Sequence, residues 1–449
     1  MMKSIFRSLR VIAPLFMLLI LSAAAFAEVD LATRQETFER VWTIVNERFY
    51  DPNFNGVNWA AVKKEYEKKI PFVQSDEEFY KLLNDMVGEL HCSHFAIIAP
   101  SSSEDYEVPK GPIDSSPGIK VRFVEDKPMI TGVEPGSPAA KAGIRPGYII
   151  TRVRGRDIAK LWEYAKSRGT GKSDHYNKAQ FALLMDSVLS GYEGEVMEIG
   201  YLDEKDVSRS AKVKLAKKKG QFISMAMFEE FVEFESKRIQ NNIGYISFSM
   251  FTPDLTVPIK NAIRSFHDAP GIIIDLRGNP GGVVNTTMAI SAMFYGERSA
   301  LGTMKQRKGE IRYPIFPSKD PYKGILVILT DEASASSSEV LACGMQWNGR
   351  AIVVGSTSMG ASLPSIRERL PSGAVMQYVI ADFKTPNGYL IEGNGAVPDY
   401  PVDLTRANLL TGHDPVMDKA ISVIKEKSAA SAEKESQAAT ETPGKDPQK

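Results

Sequence analysis

Three short, continuous apolar runs lie in the C-terminal half of the chain. They cover residues 272–274, 325–329 and 352–354. Runs of this length are typical of strands that are buried on both faces of a sheet. Apolar residues at helical spacing lie between the runs, so strands and helices alternate. The pattern predicts a largely parallel sheet covered by helices over about residues 221–427.

The region from residue 28 to about residue 104 has helical periodicity instead. One face of a predicted helix carries Phe38, Val41, Trp42, Val45 and Phe49. A second helix is predicted to begin at Ser75, because Glu78 follows three residues later with the spacing of a capping box. These features predict a small N-terminal helical unit.

Residues 105–220 change to short strands separated by turns. The stretch EPGSPAAKAGIRPGYII at residues 134–150 resembles the signature of PDZ domains. This resemblance implies that a peptide C-terminus adds a strand and that backbone N–H groups bind its carboxylate. The binding loop would be Ser116, Pro117, Gly118 and Ile119. A PDZ domain that serves only for packing is the alternative, and residues 166–191, which carry His175, are interpreted as an insertion.

The first 27 residues have the features of a secretory signal peptide. Lys3, Arg7 and Arg10 precede an apolar stretch at residues 11–21, and an A-x-A cleavage site ends at Ala27. We expect cleavage after Ala27 and a periplasmic or secreted protein without stable membrane insertion. An uncleaved N-terminal anchor is the alternative.

Composition narrows the classes of partner and of fold. The chain has 55 Lys and Arg against 55 Asp and Glu, and loss of the signal peptide would leave a net charge near −3. Nothing in this balance indicates nucleic-acid binding. Cys92 and Cys343 are too few for a disulfide framework. Residues 428–449 contain no large apolar side chain and are predicted to be disordered.

A run of small and hydroxyl residues, DEASASSSE at residues 331–339, lies between a predicted strand and a predicted helix. A serine on such a turn can act as a nucleophile, because the helix N-terminus offers N–H groups to a developing oxyanion. The run 271–282 leads a second buried strand into a Gly-rich turn, where backbone amides can approach a ligand closely. Taken alone, residues 331–339 also fit an ordinary Ser-rich helix cap.

A third set of residues, at 385–399, completes an ordered pattern with these two. In this order the three resemble the core shared by the tail-specific (C-terminal processing) peptidases, the tricorn-core peptidases and the interphotoreceptor retinoid-binding proteins. The resemblance covers nearly all of the chain after the signal peptide. It implies a multidomain α/β protein with an N-terminal helical unit, a mostly β PDZ domain and an α/β peptidase core of the ClpP/crotonase type.

The resemblance to tail-specific peptidases places the nucleophile at Ser336 but leaves it without their base. Those enzymes use a lysine, and its position here is Ala361. Their acidic residue is also missing, since residues 346–350 read QWNGR. A serine hydroxyl is a weak nucleophile without a neighbouring base, so a lysine dyad is excluded and another base is needed.

The tricorn-core branch supplies a different base from a Ser-His pair and adds a later glutamate. This chain has Ser93 and His94 at the matching place, and Glu392 matches the glutamate. The resemblance therefore implies Ser336 as nucleophile, His94 as general base and acid, and Ser93 with Glu392 as supports. The oxyanion donors would be the N–H groups of Ser337 and of Gly281 or Gly282.

Other readings of these residues stay open in the sequence. His91 and His94 could bind a metal, but no third ligand cluster is evident, so we predict no metal and no cofactor. Glu392 could instead form a salt bridge with Arg277. The two cysteines, which the resemblance puts near the active centre, could form a bridge, although unpaired core residues are favoured.

The expected function is that of a secreted serine endopeptidase acting on protein or peptide substrates, with the PDZ domain governing access. A peptide- or ligand-binding scaffold without hydrolysis, and hydrolysis of a non-peptide ester or amide, are the alternatives. The sequence leaves the oligomeric state open.

Overall fold

The computed structural model describes residues 28–100, 112–168, 173–225 and 228–440. The predicted signal peptide at residues 1–27 lies outside these stretches. Within them, no helix is both long enough and apolar enough to cross a membrane.

The N-terminal region contains three helices and one short strand. They are α1 (Leu31–Arg48), α2 (Trp59–Glu67), α3 (Asp76–Gly88) and β1 (Ala96–Ile98). The Asp30 side chain caps α1 by accepting a hydrogen bond from the Thr33 N–H at 2.9 Å, and Ser75 caps α3 as predicted. The apolar faces of these helices share one hydrophobic core with strands near the end of the chain, where Tyr378 is fully buried.

The middle region is built on an antiparallel sheet with the strand order β3-β4-β5-β7-β8. Its elements are β2 (Ser115–Ser116), β3 (Ile119–Val124), β4 (Lys127–Val133), α4 (Pro138–Lys141), β5 (Ile149–Val153), β6 (Arg156–Asp157), α5 (Ile158–Arg168), α6 (Asp174–Leu189), β7 (Val196–Leu202), β8 (Ser208–Lys214) and β9 (Ala216–Lys217). The stretch interpreted as an insertion, residues 166–191, contains the end of α5 and the whole of α6. Since Phe181 and Met185 of α6 are fully buried against the sheet, this helix belongs to the core of the region.

The C-terminal region contains the predicted parallel sheet. Its six strands have the order β12-β13-β14-β17-β18-β22, and only β12 runs antiparallel to its neighbour. The strands are β12 (Phe234–Ile239), β13 (Ile243–Phe248), β14 (Gly271–Asp275), β17 (Ile325–Thr330), β18 (Ile352–Gly355) and β22 (Tyr400–Pro401). The three apolar runs of the sequence are the strands β14, β17 and β18.

Helices cover both faces of this sheet. One face packs against α7 (Pro253–Ser265), α8 (Val284–Ser291) and α9 (Ser337–Trp347), and the other against α11 (Pro415–Thr440). Ile272 and Ile274 point to the first face and Ile273 to the second, which explains why three consecutive positions of β14 are apolar. The multidomain α/β fold class is therefore confirmed.

Further strands and a short helix complete the C-terminal region. They are β10 (Gln221–Met225), β11 (Phe228–Val232), β15 (Ser299–Gln306), β16 (Glu310–Ile315), β19 (Ser365–Arg369), β20 (Val375–Val379), β21 (Ala381–Lys384) and α10 (Arg406–Leu410). Strand β20 pairs with both β19 and the N-terminal strand β1. This pairing attaches the segment that follows α3 to the C-terminal region.

The end of α11 corrects one prediction. The helix continues to Thr440, so the predicted disorder is wrong for residues 428–440. These residues are rich in Ala, Glu, Lys and Gln, which favour a helix even without an apolar face, and Pro443 is the first proline after them. The prediction for residues 441–449 lies outside the described part of the chain.

Packing of the central strand β17 can be tested with two isoleucines. Ile328→Ala removes a fully buried side chain, whereas Ile311→Ala removes one that is 46% exposed. We expect the first change to lower the free energy of unfolding by about 2–5 kcal/mol, because it leaves a cavity, and the second to change it by about 0.5 kcal/mol or less. Urea denaturation measures both. Equal effects would contradict the sheet arrangement described above.

Candidate active site

Ser336 lies on a tight turn between the end of β17 and the first residue of α9. Its backbone angles are φ 53° and ψ −116°, a conformation that costs energy for any residue with a Cβ atom. Two hydrogen bonds hold it: the Ser336 N–H donates to the Ala361 carbonyl and to Glu339 Oε2, both at 2.9 Å. The turn therefore exposes one serine side chain at the carboxyl end of a buried strand, as the sequence predicted.

The Gly-rich turn after β14 approaches Ser336 very closely. A Cβ atom on Gly281 would lie 2.7 Å from the Ser336 Cβ and 2.8 Å from the Ser337 nitrogen, so only glycine fits. The Gly281 N–H already donates to Asn279 Oδ1 at 2.9 Å. By contrast, the N–H groups of Ser337 and Gly282 have no acceptor among the described residues. Of the two predicted glycine donors, Gly282 is the one with an N–H available for an oxyanion.

A chain of hydrogen bonds joins Glu392, Ser93 and His94. Glu392 Oε1 accepts from the Ser93 N–H at 2.7 Å, and Glu392 Oε2 accepts from Ser93 Oγ at 2.8 Å. Ser93 Oγ also lies 2.7 Å from His94 Nδ1. Because the single hydroxyl hydrogen of Ser93 is donated to the carboxylate, His94 must donate from Nδ1, which leaves Nε2 as the atom able to accept a proton.

One peptide unit connects this chain of hydrogen bonds to Ser336. The Ala361 carbonyl accepts from the Ser336 N–H at 2.9 Å, and the N–H on the other side of the same unit, that of Ser362, donates to Glu392 Oε2 at 3.1 Å. No hydrogen bond joins His94 directly to Ser336 within the described residues. Catalytic hydrogen bonds are often long before substrate binds and tighten in the complex.

Burial determines the charge of His94. It lowers the pKa of His94 to about 4, and the positive charge of Arg367 acts in the same direction. The imidazole is therefore neutral at neutral pH, which is the state that a general base requires.

Ala361, which stands where the tail-specific peptidases have their lysine, is a packing residue in this structure. Ala361 is 3% exposed and packs with Ala335 and Met359, and Ala179 of α6 completes this small cluster. A helix of the middle region therefore contacts the nucleophile turn directly.

The contacts bear on three alternative readings of the sequence. Arg277 forms ion pairs with Asp275 at 2.7 Å and with Asp414 at 3.0 Å, so Glu392 is not its partner. The described residues contain no group of three or more His, Cys, Asp or Glu side chains placed to bind a metal. No disulfide joins Cys92 to Cys343 in this part of the chain either.

Sequence reasoning missed one acidic residue at the site. Glu339 is fully buried on α9 and accepts the second hydrogen bond from the Ser336 N–H. Its signal was present, because a serine followed by a glutamate three residues later has the spacing of a capping box.

Comparison with known proteins agrees with this geometry. Residues 242–402 match peptidase family S41, and residues 30–88 match the tricorn protease C1 domain. A carboxyl-terminal-processing protease of Synechocystis sp. is 26% identical over 387 residues, which cover 85% of this chain and 83% of the relative. The chain is thus similar to peptidase family S41 in its C-terminal region and to carboxyl-terminal-processing proteases over most of its length. It is therefore a serine-type peptidase, as the sequence led us to expect.

Two solved structures share the fold of this chain. The photosystem II D1 C-terminal processing protease aligns with a TM-score of 0.55 at 21% identity, covering 83% of this chain and 93% of that chain. Mature CPAF in complex with lactacystin aligns with a TM-score of 0.61 at 12% identity, covering 89% and 99%.

The lowered pKa of His94 predicts a pH dependence of stability. The folded pKa, about 4, lies below the usual value of 6.5, so between these values the unfolded chain binds a proton that the folded chain does not. His94 should therefore reduce the free energy of unfolding as the pH falls from 6.5 to 4, by about 1.4 kcal/mol per unit at most. Urea denaturation across this range should show a smaller decline for His94→Asn than for wild type. The exposed His413→Asn serves as control, and an unchanged slope in His94→Asn would argue against a buried neutral imidazole.

Proposed function

We propose that this serine-type peptidase is an endopeptidase that hydrolyses protein or peptide substrates through Ser336, His94, Ser93 and Glu392. The hydrogen-bonded chain from Glu392 through Ser93 to His94 carries the proposal. It leaves His94 Nε2 unprotonated, and the peptide unit between Ala361 and Ser362 ties it to the nucleophile turn.

In the first half of the reaction, Ser336 Oγ attacks the substrate carbonyl while His94 Nε2 takes the hydroxyl proton. The N–H groups of Ser337 and Gly282 would stabilise the negative charge on the tetrahedral intermediate. His94 then gives the proton to the leaving amine, and an acyl-enzyme remains. In the second half, water attacks the acyl group, His94 takes a proton from that water and returns it to Ser336, and the carboxylic acid product leaves.

Ser93 and Glu392 would act on the imidazole rather than on the substrate. When His94 is protonated, its Nδ1–H donates to Ser93 Oγ, whose hydroxyl donates to the Glu392 carboxylate. This arrangement holds the ring in one tautomer and stabilises the imidazolium through one intervening hydroxyl, the part that an aspartate plays in Ser-His-Asp enzymes.

An inactive binding scaffold remains the alternative from the sequence, but nothing favours it. Relatives that match most of the chain are named as proteases. Ser93 and Glu392 lie 299 residues apart in the chain and are hydrogen-bonded to each other, and Ser93 Oγ lies 2.7 Å from His94 Nδ1.

We further propose that the middle region is a PDZ domain that binds peptide C-termini or governs access to the site. Among the described strands, β3 pairs only with β4, so its other edge can accept an added strand. The loop Ser116–Ile119 leads directly into β3. Arg122 of β3 reaches the nucleophile turn, where its Nε donates to Asp331 Oδ2 at 3.0 Å. A movement of β3 would therefore also act on the turn that carries Ser336.

Secretion to the periplasm or the exterior belongs to the same proposal. It rests on the composition of residues 1–27, which predict cleavage after Ala27.

The nucleophile and base can be tested together. A fluorophosphonate probe should label the protein, and Ser336→Ala should abolish labelling. His94→Ala should lower kcat for an unfolded protein substrate by roughly 10⁴-fold while substrate binding is retained. The matched control is His91→Ala, an exposed histidine three residues away, which should keep wild-type turnover.

Two outcomes would contradict the assignment. Labelling that persists in Ser336→Ala would exclude this serine as the nucleophile. Wild-type turnover in His94→Ala would require another base in the site.

Carboxylate binding by the middle region can be tested separately in the Ser336→Ala protein, which prevents turnover. A fluorescent peptide with a hydrophobic C-terminus should bind at least about tenfold more tightly as the free acid than as the amide, because the amide loses the charge that the N–H groups bind. Gly118→Ala should abolish this difference, since φ is +77° there and a Cβ would lie 2.4 Å from Ser137 Cβ. Gly132→Ala, whose nearest contact would be 3.7 Å, is the control. Equal affinity for acid and amide would leave this domain with a packing role only.

A further inference from the structure

A buried carboxylate beside the nucleophile has no part in the proton transfers described above. Glu339 lies on the first turn of α9 and is fully buried. It accepts four hydrogen bonds, from Ser336 N (2.9 Å), Ala361 N (3.0 Å), Gly360 N (2.6 Å) and Ser358 Oγ (2.5 Å). A glutamate that only capped the helix would bond to the turn at Ser336 alone. Three of these four donors belong to another segment.

The four donors connect the parts of the site. Ser336 N belongs to the nucleophile turn, and Gly360 and Ala361 belong to the segment that ends in the connecting peptide unit. The hydroxyl of Ser358 accepts from the Ala396 N–H at 2.6 Å, which extends the network to the loop that carries Glu392. The nucleophile, the connecting peptide unit and the Glu392 loop therefore all meet at one side chain.

We propose that the Glu339 carboxylate is a positioning residue for catalysis, which holds the nucleophile turn, the 358–361 segment and the Glu392 loop in one arrangement. The inference rests on the proposed peptidase mechanism. Its chemical basis is that a carboxylate accepts on both oxygens, while the donors at Ser336, Gly360 and Ala361 are backbone N–H groups that can only donate. An amide in this place must present its NH₂ group to at least one of them.

The ionisation of Glu339 gives this role a pH signature. Burial raises the pKa of Glu339 to about 7, although its hydrogen bonds to Ser358 and to the three N–H groups oppose the shift. The titratable side chains that face it are Cys343 on α9 and Tyr389 on the segment before Glu392, and burial raises the pKa of both, so they stay neutral there. A proton on Glu339 reverses the Ser358 hydrogen bond and weakens the link to Ala396. Activity should thus fall as the pH drops through about 7, well above the pKa of about 4 at His94.

The chain supplies a matched control in Glu332. This carboxyl lies four residues before Ser336, burial likewise raises its pKa to about 7, and its Oε1 is buried without a hydrogen-bond partner among the described residues. Glu339→Gln and Glu332→Gln therefore make the same chemical change on the same turn. Only the first should disturb the network.

The experiment measures kcat and KM of wild type, Glu339→Gln, Glu332→Gln and Ser358→Ala from pH 4 to 9 on an unfolded protein substrate. Wild type and Glu332→Gln should lose kcat/KM below pH of about 7. Glu339→Gln should have a kcat about 100-fold lower with KM nearly unchanged, because displacement of reacting groups by about 1 Å costs that much. Its acidic limb should move down toward the pKa of His94. Ser358→Ala, which keeps the carboxylate, should lower kcat by about tenfold.

The outcomes separate this inference from the proposed function. A wild-type protein that neither hydrolyses protein nor reacts with a fluorophosphonate would contradict the peptidase mechanism itself. An active wild type with an unchanged kcat and acidic limb in Glu339→Gln would overturn the role of Glu339. If Glu339→Gln fails to fold, as judged by circular dichroism, full activity in Ser358→Ala would overturn the proposed link to the Glu392 loop. A shifted acidic limb in Glu332→Gln would show that Glu332, and not Glu339, is the group that titrates, and would contradict the inference.

Discussion

The two hydrogen bonds on either side of the Ala361–Ser362 peptide unit are the contact on which the site depends. One side holds the backbone of Ser336 and the other holds the carboxylate of Glu392. A peptide unit is planar and stiff, so it fixes the distance between the parts that it joins. Ser336 and the proposed relay that ends at His94 are thereby spaced by backbone geometry, and no flexible side chain lies between the Ser336 backbone and the Glu392 carboxylate. Reacting groups fixed in this way need little reorganisation when substrate binds.

The same turn concentrates features that oppose stability. Ser336 has a backbone conformation that glycine adopts more readily, and the carboxyls of Glu332 and Glu339 are both buried close to it. Arg122 offsets part of the negative charge of these acidic residues, because it forms an ion pair with the neighbouring Asp331. Such costs are common where a protein prepares a site in advance, because a relaxed arrangement would have to be reordered during every reaction cycle. The surrounding sheet, with both faces covered by helices, is what tolerates them.

Local patterns in the sequence were sufficient to predict those helices and strands that depend mainly on their own residues. The apolar runs predicted β14, β17 and β18, and Ser75 marked the start of α3. Two results depended on distant contacts and could not be read in this way. The apolar face of α6 looked like an extra segment because its partner strand β3 lies some fifty residues earlier, and the four donors of Glu339 come from two separate segments. The proposed relay residues came from a family resemblance, since no spacing in the sequence shows that Ser93 and Glu392 meet.

The shared core between the N-terminal helices and β20 has a consequence for how the chain assembles. Helices α1 to α3 can form early, but their apolar faces find their partner only when residues 375–379 are available, nearly three hundred residues later. Contacts of such long sequence separation form late, because a large loop must close first. The segment with Ser93 and His94 is held by the pairing of β1 with β20 and by the hydrogen bonds of Ser93 to Glu392, so it cannot take its place before residues 375–392 have been made. A growing chain is therefore without the proposed site until Glu392 has been made, which would delay cleavage of the chain itself and of its neighbours.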